Sequence, residues 1–303
     1  MARPVCLVGI GKIAVDQHVP SINTSDDWEL AATVSRAGSV DGVPAFTDFD
    51  QMLATRGDIE VISLCLPPVP RYDYAARAIA AGRHVMLEKP PGATLAEVYA
   101  LERMARAAGV TLYTTWHSRM AEGVAPAKAW LADKQVTGAH ISWKEDVRRW
   151  HPGQDWVFAP GGMGVFDPGS NALSIMTEIL PMPVHLREAD LFFPENRDTP
   201  IAAHLTWTEG VTGEFDWRQE GPQSWNITVE TTGGLLELRD GGATLLVDGV
   251  EKVAGPGAEY PALYRRMAEL VATGQSEVDV SPMLHVADAM TLGKRVTVAP
   301  FQF

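Results

Sequence analysis

The stretch Cys6-Leu7-Val8-Gly9-Ile10-Gly11-Lys12-Ile13-Ala14 decides the fold. The apolar run over residues 5–10 predicts a buried strand, and the glycines after it fit G-x-G-x-x-G/A at the opening of a helix. In that pattern the first glycine makes a tight turn and the second lets the backbone approach a pyrophosphate. A small third residue, here Ala14, lets the helix pack on the strand. Four more short apolar runs follow, at 29–34, 61–66, 84–87 and 110–115. Pro67-Pro68 stops the third run of the series and Pro90-Pro91 the fourth. Helical patterns at 72–81 and 95–108 lie between them, followed by Gly82 and Gly109 where a left-handed C-terminal residue belongs. Strand–helix alternation at this spacing predicts an α/β Rossmann unit with a doubly wound parallel sheet over residues 1–120.

After Trp116 the pattern changes to polar–apolar alternation at 139–147, 202–207, 213–217, 225–231 and 235–238. Gly233-Gly234 and Gly241-Gly242 mark turns, with further strands at 243–247 and 250–253. Helices are expected at 168–180, 262–273 and 282–290. Residues 121–303 are therefore expected to form an α+β domain on a large, mainly antiparallel open sheet.

Composition narrows the function. Of 303 residues, 46% are hydrophobic, so a sizeable core forms and global disorder is excluded. The net charge of −13 disfavours nucleic acid and anionic membranes as partners, so a bound anion must be held locally. No apolar run approaches the ~18–20 residues that span a bilayer, and the short N-terminal apolar run passes straight into Gly11-Lys12; a cytoplasmic protein is expected. Cys6 and Cys65 lie inside apolar runs and are expected as buried thiols. The eight histidines show no metal-ligand spacing, so no metal is expected.

Open α/β sheets bind ligands at the carboxyl ends of their strands. The expected cofactor contacts are Gly9, Gly11, Lys12, Ile13, Ser35, Arg36, Leu66, Pro67, Glu88 and Lys89. The second strand ends in Thr33-Val34-Ser35-Arg36, with no acid to accept from a ribose 2′-hydroxyl before Asp41. A hydroxyl beside a guanidinium suits a 2′-phosphate, so NADP is preferred; no carboxylate repels it, and NAD is also expected to be used. Lys89 stands at the end of the fourth strand, and Pro90 disfavours the helical conformation for it.

The G-x-G-x-x-A run, Glu88-Lys89-Pro90, and Gly161-Gly162-Met163-Gly164-Val165-Phe166-Asp167-Pro168-Gly169-Ser170-Asn171 form an ordered set along the whole chain. Together they resemble the glucose-fructose oxidoreductase/inositol dehydrogenase family. Within it, Asp167-Pro168-Gly169-Ser170-Asn171-Ala172-Leu173-Ser174 is most similar to the pentose and hexose 1-dehydrogenases. The resemblance implies an aldose substrate oxidised at C1 to the lactone, with L-arabinose and D-galactose as the expected sugars. It also implies a cis peptide before Pro90 and a homo-oligomer, dimer or tetramer. Lys89, Asp167 and Asn171 are the implied catalytic residues. His117, Glu145, Trp150, His151, Asp167, Asn171 and Trp225 are the implied sugar contacts, with Trp116 beside them, whereas Trp207 and Trp217 are assigned to the sheet or an oligomer interface. Many relatives carry His where this chain has Asn171. An amide cannot take a proton, so Asp167 is expected to accept the O1 proton, directly or through Lys89, while Lys89 stabilises the alkoxide and Asn171 orients the sugar. Asp167 before Pro168 also predicts a helix N-cap. Two alternatives stay open: an inositol-type dehydrogenase acting on a ring carbinol, and a nucleotide-bound sugar sensor without turnover.

Overall fold

A computed structural model describes residues 2–303, which divide into two compact units. One runs to His117 and takes in Tyr260–Val280; the other comprises Ser118–Glu259 and Ser281–Phe303.

The first unit contains β1 (Arg3–Val8), β2 (Trp28–Val34), β3 (Ala45–Phe46), β4 (Val61–Leu64), β5 (His84–Leu87) and β6 (Leu112–Thr114). All pairs are parallel, in the order β3-β2-β1-β4-β5-β6. This is the doubly wound order, which reverses direction between β1 and β4 and so places the ligand crevice at their carboxyl ends. Val5, Cys6, Leu7 and Val8 are all buried, which is why β1 has no alternation: both faces of a parallel sheet are covered. The helix after Gly11 winds through a π-helical stretch, Ala14–His18, into α1 (Val19–Asn23). α2 (Phe49–Thr55), α3 (Pro68–Ala80) and α4 (Leu95–Ala108) follow. Thr94 and Glu97 form a capping box on α4, and Gly109 closes it at φ 66°, so both ends were marked in the sequence. α3 starts earlier than expected, because Pro68 occupies a first turn that needs no N–H.

The second unit is built on nine strands: β7 (Val136–Lys144), β8 (Leu186–Pro194), β9 (Ala202–Trp207), β10 (Val211–Asp216), β11 (Ser224–Thr231), β12 (Gly234–Arg239), β13 (Thr244–Val247), β14 (Val250–Ala254) and β15 (Lys294–Val298). Their order is β14-β13-β12-β11-β7-β10-β9-β8-β15. The β10–β7 and β15–β8 pairs are parallel and the others antiparallel. α5 (Val124–Leu131), α6 (Val147–Trp150) and α7 (Phe166–Ile179) belong to this unit; α8 (Glu259–Thr273) returns to the first; α9 (Ser281–Leu292) rejoins the second. Ile141, Trp143, Leu205, Phe215 and Val229 share a core with Leu173 and Met176 of α7. The division expected at 120 falls beside the one after His117, but Tyr260–Val280, expected in the second domain, groups with the N-terminal unit. The β6 backbone is the reason: Thr114 N donates to Glu277 O (3.0 Å), and Leu112 N to Ser276 Oγ (2.9 Å). β8 was not expected, because a register shift between Leu186 and Glu188 breaks its alternation.

Candidate active site

In the first unit the chain leaves β1 through Gly9 at φ 90°, with its amide on Val34 O at 2.8 Å. A Cβ there would meet Leu66 Cδ2 at 2.9 Å and Leu66 N at 3.0 Å, so dihedral and packing both require glycine. Gly11 is different. A Cβ on it would meet nothing within 4 Å, and its φ is not left-handed. The protein's own packing does not ask for glycine at this position; close approach of a pyrophosphate to the helix N-terminus does. The turn thus fits a dinucleotide. Beyond it, Lys12 pairs with Asp16 one helical turn on, and Ile13 is exposed.

Ser35 Oγ accepts from the amides of Ala37 (3.2 Å) and Gly38 (3.3 Å), which shapes the loop after β2. Arg36 on that loop is exposed and has no hydrogen bond or ion pair among the described residues. Leu66 and Pro67 form the turn after β4. Arg71, only 2% exposed, donates to the carbonyls of Leu66, Glu88 and Pro90, and so ties the β4 and β5 ends together. Nothing local marks this role, because an arginine one turn into a helix looks like any solvated cation.

The Lys89–Pro90 peptide is cis. The side chain of Glu88, a residue expected beside the cofactor, is turned inward and 4% exposed. Its Oε2 accepts from Lys89 N (2.6 Å), and its Oε1 meets His18 Nε2 (3.1 Å) and Tyr260 Oη (2.8 Å). His18 Nδ1 contacts Tyr264 Oη at 2.8 Å. Burial works to raise the Glu88 pKa, but the hydrogen bond and charge of His18, with Tyr260, outweigh it and bring the carboxyl down to about 2. Burial likewise disfavours a charged His18; Cys65, Tyr264 and Glu88 around it nevertheless hold its pKa well above the ordinary imidazole value. Glu88 is thus an anchored anion that fixes the Lys89 backbone. His117 stacks on Tyr260, centroids 5.3 Å apart at 21°. Trp116 is buried, its indole N–H on Asp279 O (2.9 Å), and serves the core of this unit.

In the second unit, α7 carries Asp167 and Asn171 one turn apart. The helix begins earlier than predicted. Phe166 N and Asp167 N already bond back to Met163 O and Gly164 O (3.1 and 2.9 Å), and Val165 is the N-cap. Asp167 is therefore inside the first turn and is not the cap, so its carboxylate is free of that duty and lies 3.1 Å from His151 Nε2. An anion in a first turn is still favoured by the helix dipole. Gly169 lets this turn lie on β10: a Cβ would come within 3.0 Å of Phe215 Cδ1. Asn171 is half-buried, and its amide has no partner among the described residues.

Glu145, at the end of β7, accepts from Trp217 Nε1 (3.0 Å) and Trp225 Nε1 (2.8 Å). Trp150 packs edge-on against Trp225 and donates to Gln223 Oε1 (2.8 Å). The His151 ring stands edge-on to Trp217 (5.4 Å) and Trp156 (6.1 Å). Glu145, Trp225 and Trp150 are thus in contact in series, His151 contacts Asp167, and the Trp217 indole stands between the two groups. Trp217 is fully buried in the core of the sheet, and its indole also stands between Glu145 and His151. Trp207 is a sheet residue, bonded to His285 Nδ1 (3.1 Å). Gln154 and Trp156 were missed, because they sit in an irregular segment with no periodicity to reveal them.

No group of three or more His, Cys, Asp or Glu among the described residues could hold a metal ion, and no described helix is long and apolar enough to cross a membrane. A family model, the GFO_IDH_MocA oxidoreductase family with an NAD-binding Rossmann fold, matches residues 4–115. The chain is 39% identical over 299 residues to a galactose 1-dehydrogenase of Pseudomonas fluorescens, covering 97% of each. The crystal structure of a D-galactose-1-dehydrogenase protein from Rhizobium etli matches with a TM-score of 0.95 and 51% identity, over 100% of this chain and 99% of that one. The fold alone is shared with KijD10, a 3-ketoreductase from Actinomadura kijaniata solved with NADP and TDP-benzene (TM-score 0.83, 19% identity, 98% and 100% covered). With a glycine turn shaped for a dinucleotide and similarity along its whole length, the chain belongs to the Gfo/Idh/MocA family of oxidoreductases, and its first unit is an NAD(P)-binding domain.

Proposed function

We propose that the protein is an NADP-preferring aldose 1-dehydrogenase that oxidises D-galactose and L-arabinose at C1 to the lactones. The observation that carries this reading is the cluster in the second unit: two carboxylates, Glu145 and Asp167, set among the indoles of Trp150, Trp156, Trp217 and Trp225. Aromatic faces suit the C–H faces of a pyranose, and the carboxylates suit its hydroxyls. The full-length similarity to two galactose 1-dehydrogenases supports the same sugar class.

When bound, the oxidised nicotinamide supplies the hydride acceptor. Asp167 takes the proton from O1, Lys89 stabilises the charge developing on that oxygen, and Asn171, which has no pKa to offer, orients the ring. His117, Glu145, Trp150 and Trp225 hold the sugar. Gly9, Gly11, Lys12 and Ile13 hold the pyrophosphate end of the cofactor, Leu66 and Pro67 flank it, and Ser35-Arg36 receive the 2′-phosphate. A homo-oligomer belongs to the same reading.

L-arabinopyranose and D-galactopyranose share their configuration from C1 to C4, including an axial O4, whereas D-glucose and D-xylose have it equatorial. A site bonded to axial O4 is left with unpaired polar groups by the latter pair, a mismatch that discriminates strongly. The test is kcat/KM for these four sugars with NADP. High activity on the first pair and little on the second is expected. Preference for glucose, xylose or myo-inositol would overturn the sugar assignment, and no cofactor reduction with any sugar would favour a sensor.

A further inference from the structure

We infer that His151 receives the proton that Asp167 takes from the sugar, so that the base of the reaction is a carboxylate–imidazole pair. This rests on the dehydrogenase reading above and goes beyond it by assigning the resting place of the proton.

The hydrogen-bond inventory fixes the ring. Trp156 Nε1 lies 3.1 Å from Gln154 Oε1, and His151 Nδ1 lies 3.2 Å from the same atom. An indole N–H only donates, so that atom must be the amide oxygen, and Nδ1 must then carry a proton to bond to it. In the neutral ring Nε2 is left as a bare lone pair, and it faces Asp167 Oδ2 at 3.1 Å. A lone pair opposite a carboxylate oxygen is repulsive until one proton lies between them. The bare pair is therefore a proton sink, and the two atoms share whatever proton arrives.

Chemical balance follows directly. The O1–H bond breaks and its electrons stay on oxygen to form C1=O, as the C1 hydride leaves for the oxidised nicotinamide. The proton passes to Asp167 and then to His151 Nε2, leaving an imidazolium beside a carboxylate. The ring is 22% exposed against 8% for Asp167, so the proton leaves to solvent from the histidine side. In this unit Asp167, from α7, is a charged group facing the ring. Gln154 and Trp156 from the irregular segment and Trp217 from beyond β10 are neutral, and Glu145 from β7 stands behind the Trp217 indole. Because His151 acts through Asp167, it is a positioning residue that also stores the proton.

Two measurements test this. The first is the pH profile of kcat and KM on D-galactose for wild type and His151→Gln, with thermal melts to establish folding. Glutamine can donate to Asp167 but cannot hold a proton. The variant should lose kcat on the order of a hundredfold with KM changed less than threefold, and its acid limb should move at least one pH unit lower, since a carboxylate then titrates without the imidazole. A raised KM with an unmoved limb would reduce His151 to a sugar contact and overturn the proposal. The second is 15N NMR of ring-labelled histidine in the protein without substrate, with the signal assigned from its absence in the variant. The neutral ring should carry its proton on Nδ1, and Gln154→Leu should release it to the other nitrogen. A wild-type ring protonated on Nε2 would overturn the proposal even if the sugar assignment holds. A wild type that turns over no sugar would overturn the parent reading while leaving the NMR result standing.

Discussion

Arg36 tests how far a single exposed side chain sets cofactor choice. It has no protein partner among the described residues and lies on a loop shaped by Ser35 Oγ. Arg36→Ala should therefore leave stability unchanged and weaken NADP by about tenfold to a hundredfold, the loss expected for a charge-assisted contact of about 1.5–3 kcal/mol. NAD, without a 2′-phosphate, should be nearly unaffected; equal losses in the two KM values would refute the assignment. For the reacting groups, Lys89→Ala and Asp167→Ala should each lower kcat by a factor on the order of 10²–10⁴, with cofactor affinity retained. Asn171→Ala should raise sugar KM as well as lower kcat, since it positions the sugar. If Asp167→Ala turned over normally, its carboxylate would serve only α7. Lys89, Asp167 and Asn171 are candidates legible in the sequence because each sits in a short ordered motif. His18, Arg71 and Gln154 are not: their roles arise from partners brought together by folding, such as the Glu88 and Pro90 carbonyls that Arg71 gathers.

Between elements, the two glycines of the first turn separate folding from binding. Gly9→Ala forces a left-handed φ on a residue with a Cβ and presses on Leu66 at the end of β4; it should cost about 1–3 kcal/mol of stability. Gly11→Ala meets open space and should melt like the wild type, yet bind NADP more weakly. Thermal melts with cofactor titrations separate the two, and a destabilised Gly11→Ala would show that the second glycine serves packing after all. The contact of His18 with Glu88 joins the first helix to the end of β5 and makes stability pH-dependent. The His18 pKa is raised in the fold, so its contribution is complete below the ordinary imidazole value of 6.5 and is lost as pH rises through the folded value. Glu88 is lowered to about 2, so its contribution is complete above the ordinary 4.5 and is lost as pH falls toward 2. These are two views of one interaction and do not add. The contribution is greatest between pH 4.5 and 6.5, and the wild-type Tm should decline above pH 6.5 more steeply than that of His18→Gln. Parallel curves from pH 5 to 9 would show that folding does not shift the His18 pKa.

Across the whole chain, the sequence marked both sheets but not the path between the units. The apolar pattern at 262–273 predicted a helix and α8 is one, yet nothing local says which unit it joins. That is decided by hydrogen bonds that span more than half the chain, which leave no periodic trace. Trp28 Nε1 donates to Tyr264 O (2.9 Å), Tyr260 Oη bonds to Glu88, and Trp116 Nε1 donates to Asp279 O. Tyr260, Leu263, Tyr264, Met267 and Leu270 are the buried face of α8. A fragment of residues 2–117 therefore contains every strand of the parallel sheet but lacks the Tyr260 hydroxyl on Glu88, the Tyr264 hydroxyl on His18 and the acceptors of the β6 amides. Unpaired buried polar groups cost about 1–3 kcal/mol each, against a total domain stability of about 5–15 kcal/mol, so this fragment should show no cooperative melt. Since His117 stacks on Tyr260, a short glycine–serine linker can join 2–117 to 259–280. The joined fragment should melt cooperatively and bind NADP, as followed by circular dichroism and by fluorescence of the reduced cofactor. If residues 2–117 alone melted as sharply and bound as tightly as the joined fragment, α8 and the strand-like segment after it would be an accessory to the dinucleotide unit and not part of its core.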